Sequence, residues 1–284
     1  MYRFSNYYRS SFLLVGLVAA GACVCGKLWA GDPRNGPEVK GEQTSSAPEK
    51  LWGSVQMRFV VDDPRTRGEA VAAHHSDVPP VANDETLVID AGSHGIRNVV
   101  VLVRHVSRVH QMYAHVSGQP AVLKQDDNRF VPHVLPVMVG QQLRIHNDSA
   151  TRQVAMIRHS QGRGLDLLMA PGEQAMWRFT QADFLPAQVS IASNSSMKAY
   201  AVVVDNPYVA VSDDQGMVVL TNVPAGEELD LRIWHERSGW LTFYKGDLRI
   251  VVPADGLLDF GEVYIPAADL ANSRDFDRTK QVAH

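Results

Sequence analysis

The chain has 284 residues, 45% hydrophobic and 20% charged, with 27 Lys and Arg against 31 Asp and Glu. That is globular composition, long enough for two modest domains. The net charge of −4 excludes a nucleic-acid binder that works through clustered cations on phosphates.

Arg3 and Arg9 precede "SSFLLVGLVAAGACVCG", an uncharged apolar run over 10–26. The run is shorter than the roughly 20 residues of a spanning helix and close to the core of a secretory signal. Residues 1–30 are therefore expected to be a signal peptide, with Ala20 and Ala22, or Leu28 and Ala30 further on, as cleavage determinants. The alternative is an uncleaved N-terminal membrane anchor through 10–26. A lipoprotein site at Cys23 is a weak reading, because Ala20 stands where such sites carry Leu. Both cysteines, Cys23 and Cys25, lie in this segment. The mature chain would be exported, periplasmic or extracellular, without a disulfide, a thiolate ligand or a Cys nucleophile.

Residues 31–50, rich in Gly, Pro and Ser, read as a disordered linker. Order is expected from Trp52. "SVQMRFVVDD" (54–63), "TLVID" (86–90) and "IRNVVVLVRHV" (96–106) read as strands, the last apolar enough to be buried on both faces. "HVLPVMVGQQLRIHND" (133–148) reads as a hairpin turning at Gly140 and ended by an Asx turn. "QAMWRFT", "AQVSIA" and "AYAVVVD" follow as strands. Residues 208–236 read as a three-stranded meander with turns at Asp213–Gly216 and Pro224–Gly226. "LTFYKGDLRIVVP" and "LDFGEVYIP" close the fold, and "AADLANSRDFDRTKQVAH" is a polar tail with a short helix. No long stretch has helical periodicity, so the chain is expected to be all-β and sandwich-like. It carries no P-loop, no G-x-G-x-x-G, no H-E-x-x-H and no G-x-S-x-G.

"RFVPHVLPV", "VGQQLRIHND", "MKAYAVVVDNPYVAVSDDQG", "NVPAGE" and "IWHE" stand in an order, from Ser54 to Glu236, that resembles the exported bacterial proteins described as methylamine-utilisation-like or plastocyanin-like. The resemblance implies Greek-key β-sandwiches, with a cupredoxin-like domain over 119–205 inserted in, or joined to, a transthyretin-like (carboxypeptidase regulatory-like) sandwich over 52–118 and 206–265. Residues 266–284 are the tail. Copper-binding members hold their metal with a His after the Asn-Asp strand end and with Cys-x-x-His-x-x-Met before the "AY" strand. Laid on this chain, those ligands fall on Gln153, Ile191, Asn194 and Met197. Only the Met matches. A blue-copper site needs a thiolate and two imidazoles, the long Met bond being minor. Ile191 cannot ligate, and Met197 is expected to pack in the core. Members also carry a structural Cys where this chain has Asn128. No copper and no other cofactor is expected.

Eleven histidines remain. His74 and His75 stand next to each other in a stretch that reads as a loop, and adjacent imidazoles tend to point apart. His105, His110 and His115 are spaced by five, which on a strand places neighbours on opposite faces. His133 and His235 sit in the shared motifs and read as structural hydrogen-bonding groups. Glu236 and Asp230 are close in sequence but read as solvated carboxylates, and no triad spacing appears, so no catalytic residue is assigned. Trp234, Trp240 and Tyr244 surround one turn, either as packing or as a sugar-stacking platform. The reading is a non-enzymatic exported binding or structural protein with a protein or glycan partner at the cell envelope. The alternatives are copper handling or electron transfer at a rebuilt site, and a carbohydrate-binding accessory module.

Overall fold

The computed structural model describes residues 3–4, 51–62, 85–126, 128–160, 164–241 and 248–271. The linker 31–50, the 10–26 anchor, both cysteines, His74, His75, Tyr244 and the tail beyond 271 lie outside the described residues. In chain order the strands are β1 (Arg3–Phe4), β2 (Trp52–Asp62), β3 (Val100–Val103), β4 (Ala121–Asp126), β5 (Arg129–Val131), β6 (Val134–Met138), β7 (Gln142–His146), β8 (Gln153–Arg158) and β9 (Leu165–Met169). They continue with β10 (Gln174–Arg178), β11 (Ala187–Ile191), β12 (Asn194–Val204), β13 (Val209–Val211), β14 (Met217–Pro224), β15 (Glu228–His235), β16 (Gly239–Trp240), β17 (Leu248–Val251) and β18 (Leu257–Pro266). One helical turn, α1 (Ala267–Ala271), follows, and its Leu270 is buried. Among the described residues no helix is long and apolar enough to cross a membrane.

The chain is all-β, as its short strands and frequent turns require. One sandwich pairs the sheet β1-β18-β2-β14 with the sheet β13-β3-β15-β16, to which β17 adds on β15. Strand β2 alternates: Val55, Met57 and Phe59 enter a core shared with Val101, Val103, Val218, Leu231, Ile233 and Val263. That period of two is the direct consequence of the pleat. The second sandwich pairs β10-β7-β4-β5 with β6-β12-β11-β8-β9. Its core holds Leu123, Phe130, Leu143, Ile145, Ile157, Val189, Ala199 and Val203. A third, smaller cluster of Val100, Val134, Val202, Val204 and Trp234 joins the two sandwiches. Strand β3 thus lies between two apolar layers, which accounts for its unbroken Val/Leu run.

Three readings of the sequence need correction. Residues 133–148 are not a hairpin. Strand β6 pairs in parallel with β12, while β7 pairs with β10 and β4 in the facing sheet. The turn at Gly140, whose φ is +77°, carries the chain across the core instead of back along one sheet. Residues 208–236 are not a meander either. Strand β13 pairs with β3, β14 with β2, and β15 again with β3, so successive strands alternate between facing sheets. Finally, 86–90 forms only a bridge, Ile89 to Ile96. The Asp90 carboxylate accepts from the Ser93 N–H, and His94 N–H returns to the Asp90 carbonyl, which closes a tight loop before a ladder can extend.

Candidate functional site

The four positions singled out by the copper-ligand comparison meet at one end of the second sandwich. Asn147, just after β7, is fully buried and organises that end. Its amide donates to the carbonyls of Thr151, Met169 and Ala170 at 2.9, 3.2 and 3.0 Å, and its carbonyl accepts from Ser149. The expected Asx turn is present, from Ser149 N–H to Asn147 Oδ1. Gln153 opens β8. Its amide donates to Thr151 Oγ1 at 3.1 Å and its carbonyl accepts from Ser193 Oγ at 2.7 Å, which ties the two loops together. Asn194 accepts from Ser196 within its own turn.

Ile191 closes β11 opposite Ala155 and Asn194 and is 1% exposed. Met197 is 2% exposed, and its sulfur accepts a weak hydrogen bond from the Gln125 amide at 3.7 Å. The Gln125 carbonyl oxygen is buried without a partner. This donor set does not fit copper: it offers two neutral amides turned to hydroxyls, a branched hydrocarbon, and a thioether already engaged by an amide. Among the described residues no group of three or more His, Cys, Asp or Glu is placed to hold a metal. Asn147 stood in a quoted motif, but its buried role rests on the carbonyls of Thr151, Met169 and Ala170, and that of Gln125 on the Met197 sulfur, contacts made by the fold and not by local sequence.

A second polar cluster lies where the sandwiches join. His133, before β6, bonds through Nε2 to a carboxylate oxygen of Glu236, beyond β15, and its Nδ1 lies 3.7 Å from Glu85. The Tyr200 ring meets the imidazole edge-on, and its hydroxyl reaches the other Glu236 oxygen at 3.5 Å. Next to this cluster His235 is buried. Burial holds its pKa down at about 4, against the pull of the Glu236 charge. Its Nδ1 accepts the Arg237 N–H at 3.2 Å. Asp230 is elsewhere, 3.7 Å from Arg104, so Glu236 and Asp230 form no pair. Among the described residues the other histidines are dispersed: His110 caps a 3-10 turn beside Trp52, and His159 lies against Phe179.

The aromatic group divides. Trp234 is buried in the joint, whereas Trp240 is half-buried and donates its indole N–H to the Phe184 carbonyl at 3.1 Å. Beside Trp240 a cleft of about 210 Å³ opens between β3 and β12.

No family model and no curated protein matches the chain. Among solved structures the chain is similar to a copper-containing nitrite reductase from Thermus scotoductus SA-01, at 20% identity and a TM-score of 0.28, over 31% of this chain and 23% of that one. The chain therefore spans less than a quarter of that reductase. It is also similar to an oxidised amicyanin mutant, at 16% identity and a TM-score of 0.27 over 36% of this chain and 92% of that one. A reduced amicyanin mutant matches at 18% and 0.28, over 37% and 98%.

Proposed function

We propose that the chain is a non-catalytic exported protein in which a cupredoxin-like domain, 119–205, has exchanged its copper centre for packed side chains. The transthyretin-like remainder, 52–118 and 206–265, would carry it at the cell envelope, where it binds a partner or builds structure. The observation that supports this most directly is the packing of Ile191 and Met197 into the core, with the Gln125 amide on the Met197 sulfur. The test is metal analysis and visible spectroscopy of the protein prepared without its first 30 residues, before and after addition of Cu²⁺. A colourless, copper-free protein after dialysis is expected. An intense visible thiolate-to-copper band, or tightly retained stoichiometric copper, would overturn the reading.

A further inference from the structure

We propose that the cleft between β3 and β12 binds a single neutral sugar ring, the terminal pyranose of a glycan. Its walls are apolar where the strands face each other, at Leu102 and Val204, and aromatic at its lip, at Trp240. Polar groups also line it: the guanidinium groups of Arg104, which pairs with Asp230, and of Arg232, the His105 imidazole, and the carboxylate of Asp205, which accepts from the Asn206 amide. A fourth charged group, Asp183, also borders the space, but it is held by the Ser160 and Leu185 N–H groups and the Ser160 hydroxyl. The two guanidinium groups balance the two carboxylates in formal charge, and the His105 imidazole adds one more hydrogen-bonding group.

A pyranose fits this combination. Its C–H face is apolar and faintly positive and lies well against the negative face of an indole. Its rim of hydroxyls both donates and accepts, as planar Arg and Asp groups require. The volume is below the roughly 300–1,000 Å³ of pockets for drug-sized ligands, and suits one ring. The platform is already in place. The indole is fixed by its hydrogen bond to the Phe184 carbonyl and by the tilted Phe184 ring, at 5.9 Å between centroids, so little ordering remains for the ligand to impose. Phe184 itself is 53% exposed and also lines the cleft, a second aromatic surface beside the indole.

The inference deepens the binding role proposed above and does not depend on the history of the copper loop; the Cu²⁺ titration and the sugar test can fail separately. The experiment is saturation-transfer NMR on the protein without its first 30 residues. Methyl glycosides of glucose, galactose, mannose and N-acetylglucosamine are offered at up to about 10 mM, the range expected of a single ring. Methyl glucuronoside and benzoate serve as charged comparisons. Saturation of the ring protons of at least one neutral glycoside is expected. It should fall at least tenfold in affinity in Trp240→Ala and in Ala182→Phe, which fills the cleft and leaves the indole in place. Unchanged melting curves would show that both variants remain folded. No saturation of any neutral glycoside, equal binding by both variants, or preference for the glucuronoside or benzoate would overturn the proposal.

Discussion

His133 and Glu236 hydrogen-bond to each other across the joint between the sandwiches, one just before β6 and the other just past β15. Both side chains are less than 10% exposed, so this contact is unlike a surface pair, whose worth is about 0–1 kcal/mol. Leaving a buried group without its hydrogen-bond partner costs about 1–3 kcal/mol. His133→Ala is expected to fall in that range, since it leaves Glu85 and Glu236 facing an emptied space. In urea unfolding, the double variant with Glu236→Ala should cost less than the two single changes added. Additive costs would show that the residues do not interact.

The buried imidazole of His235 makes stability depend on pH. Its pKa is about 4 in the fold against an ordinary 6.5. Between those values the unfolded chain takes a proton that the native chain refuses. The contribution is therefore whole above about pH 6.5 and drains as pH falls towards 4, by about 3 kcal/mol in total. His235→Gln should be less stable at pH 7 but lose less between pH 7 and 4. Parallel urea midpoints for the two proteins across that interval would refute the assignment.

Ile191→Ala should destabilise by about 2–5 kcal/mol, as truncation of fully buried aliphatic side chains does. The side chain is 1% exposed and is part of the second core, which also holds Met197. A change below about 0.5 kcal/mol in urea unfolding, the level of ordinary surface substitutions, would mean that the loop yields and the position is not packed.

A chain ending at Asp205 would leave β2 without β14 and β18, and β3 without β13 and β15. Val100–Val103 would then present an apolar ladder edge, a template for aggregation. The expected product of expressing 52–205 is insoluble or partly unfolded on size exclusion and thermal melting. The strands of 119–205 would still have one another as partners. A monomeric 52–205 that melts cooperatively would show that the two halves fold consecutively.

Much of this architecture was legible because period and composition act locally. The alternation of "SVQMRFVV" marked β2, and the Val/Leu run marked β3 as covered on both sides. The turn at Asp213–Gly216 was readable from its residues; Asp213 accepts from the Gln215 and Met217 N–H groups. Strands β4, β8 and β9 escaped notice. Strand β9 buries only Met169 fully, so it carries little apolar alternation. The hairpin and meander errors share a cause: a turn between two strands looks alike in sequence whether the chain returns along its own sheet or crosses to the facing one. At the candidate site the positions came from a resemblance, but the Gln125–Met197 contact and the threefold donation by Asn147 depend on strand register, which no local pattern encodes.

Strands β3 and β12 each serve two masters. In β12, Val203 belongs to the second core and Val202 and Val204 to the joint; in β3, Val101 and Val103 belong to the first core and Val100 to the joint. A slip of one residue in either strand would exchange its two faces. Among the valines both faces are apolar, so there a slip is resisted by shape, in the fit of each valine to its own layer, while Lys198 in β12 and the Asn206 amide bonded to the Val103 carbonyl pin the register with polar groups. At the joint a misregistered strand would offer the wrong side chains to the facing sandwich. The amides of β3 and β12 should consequently be the slowest of the chain to exchange with solvent, and should open together.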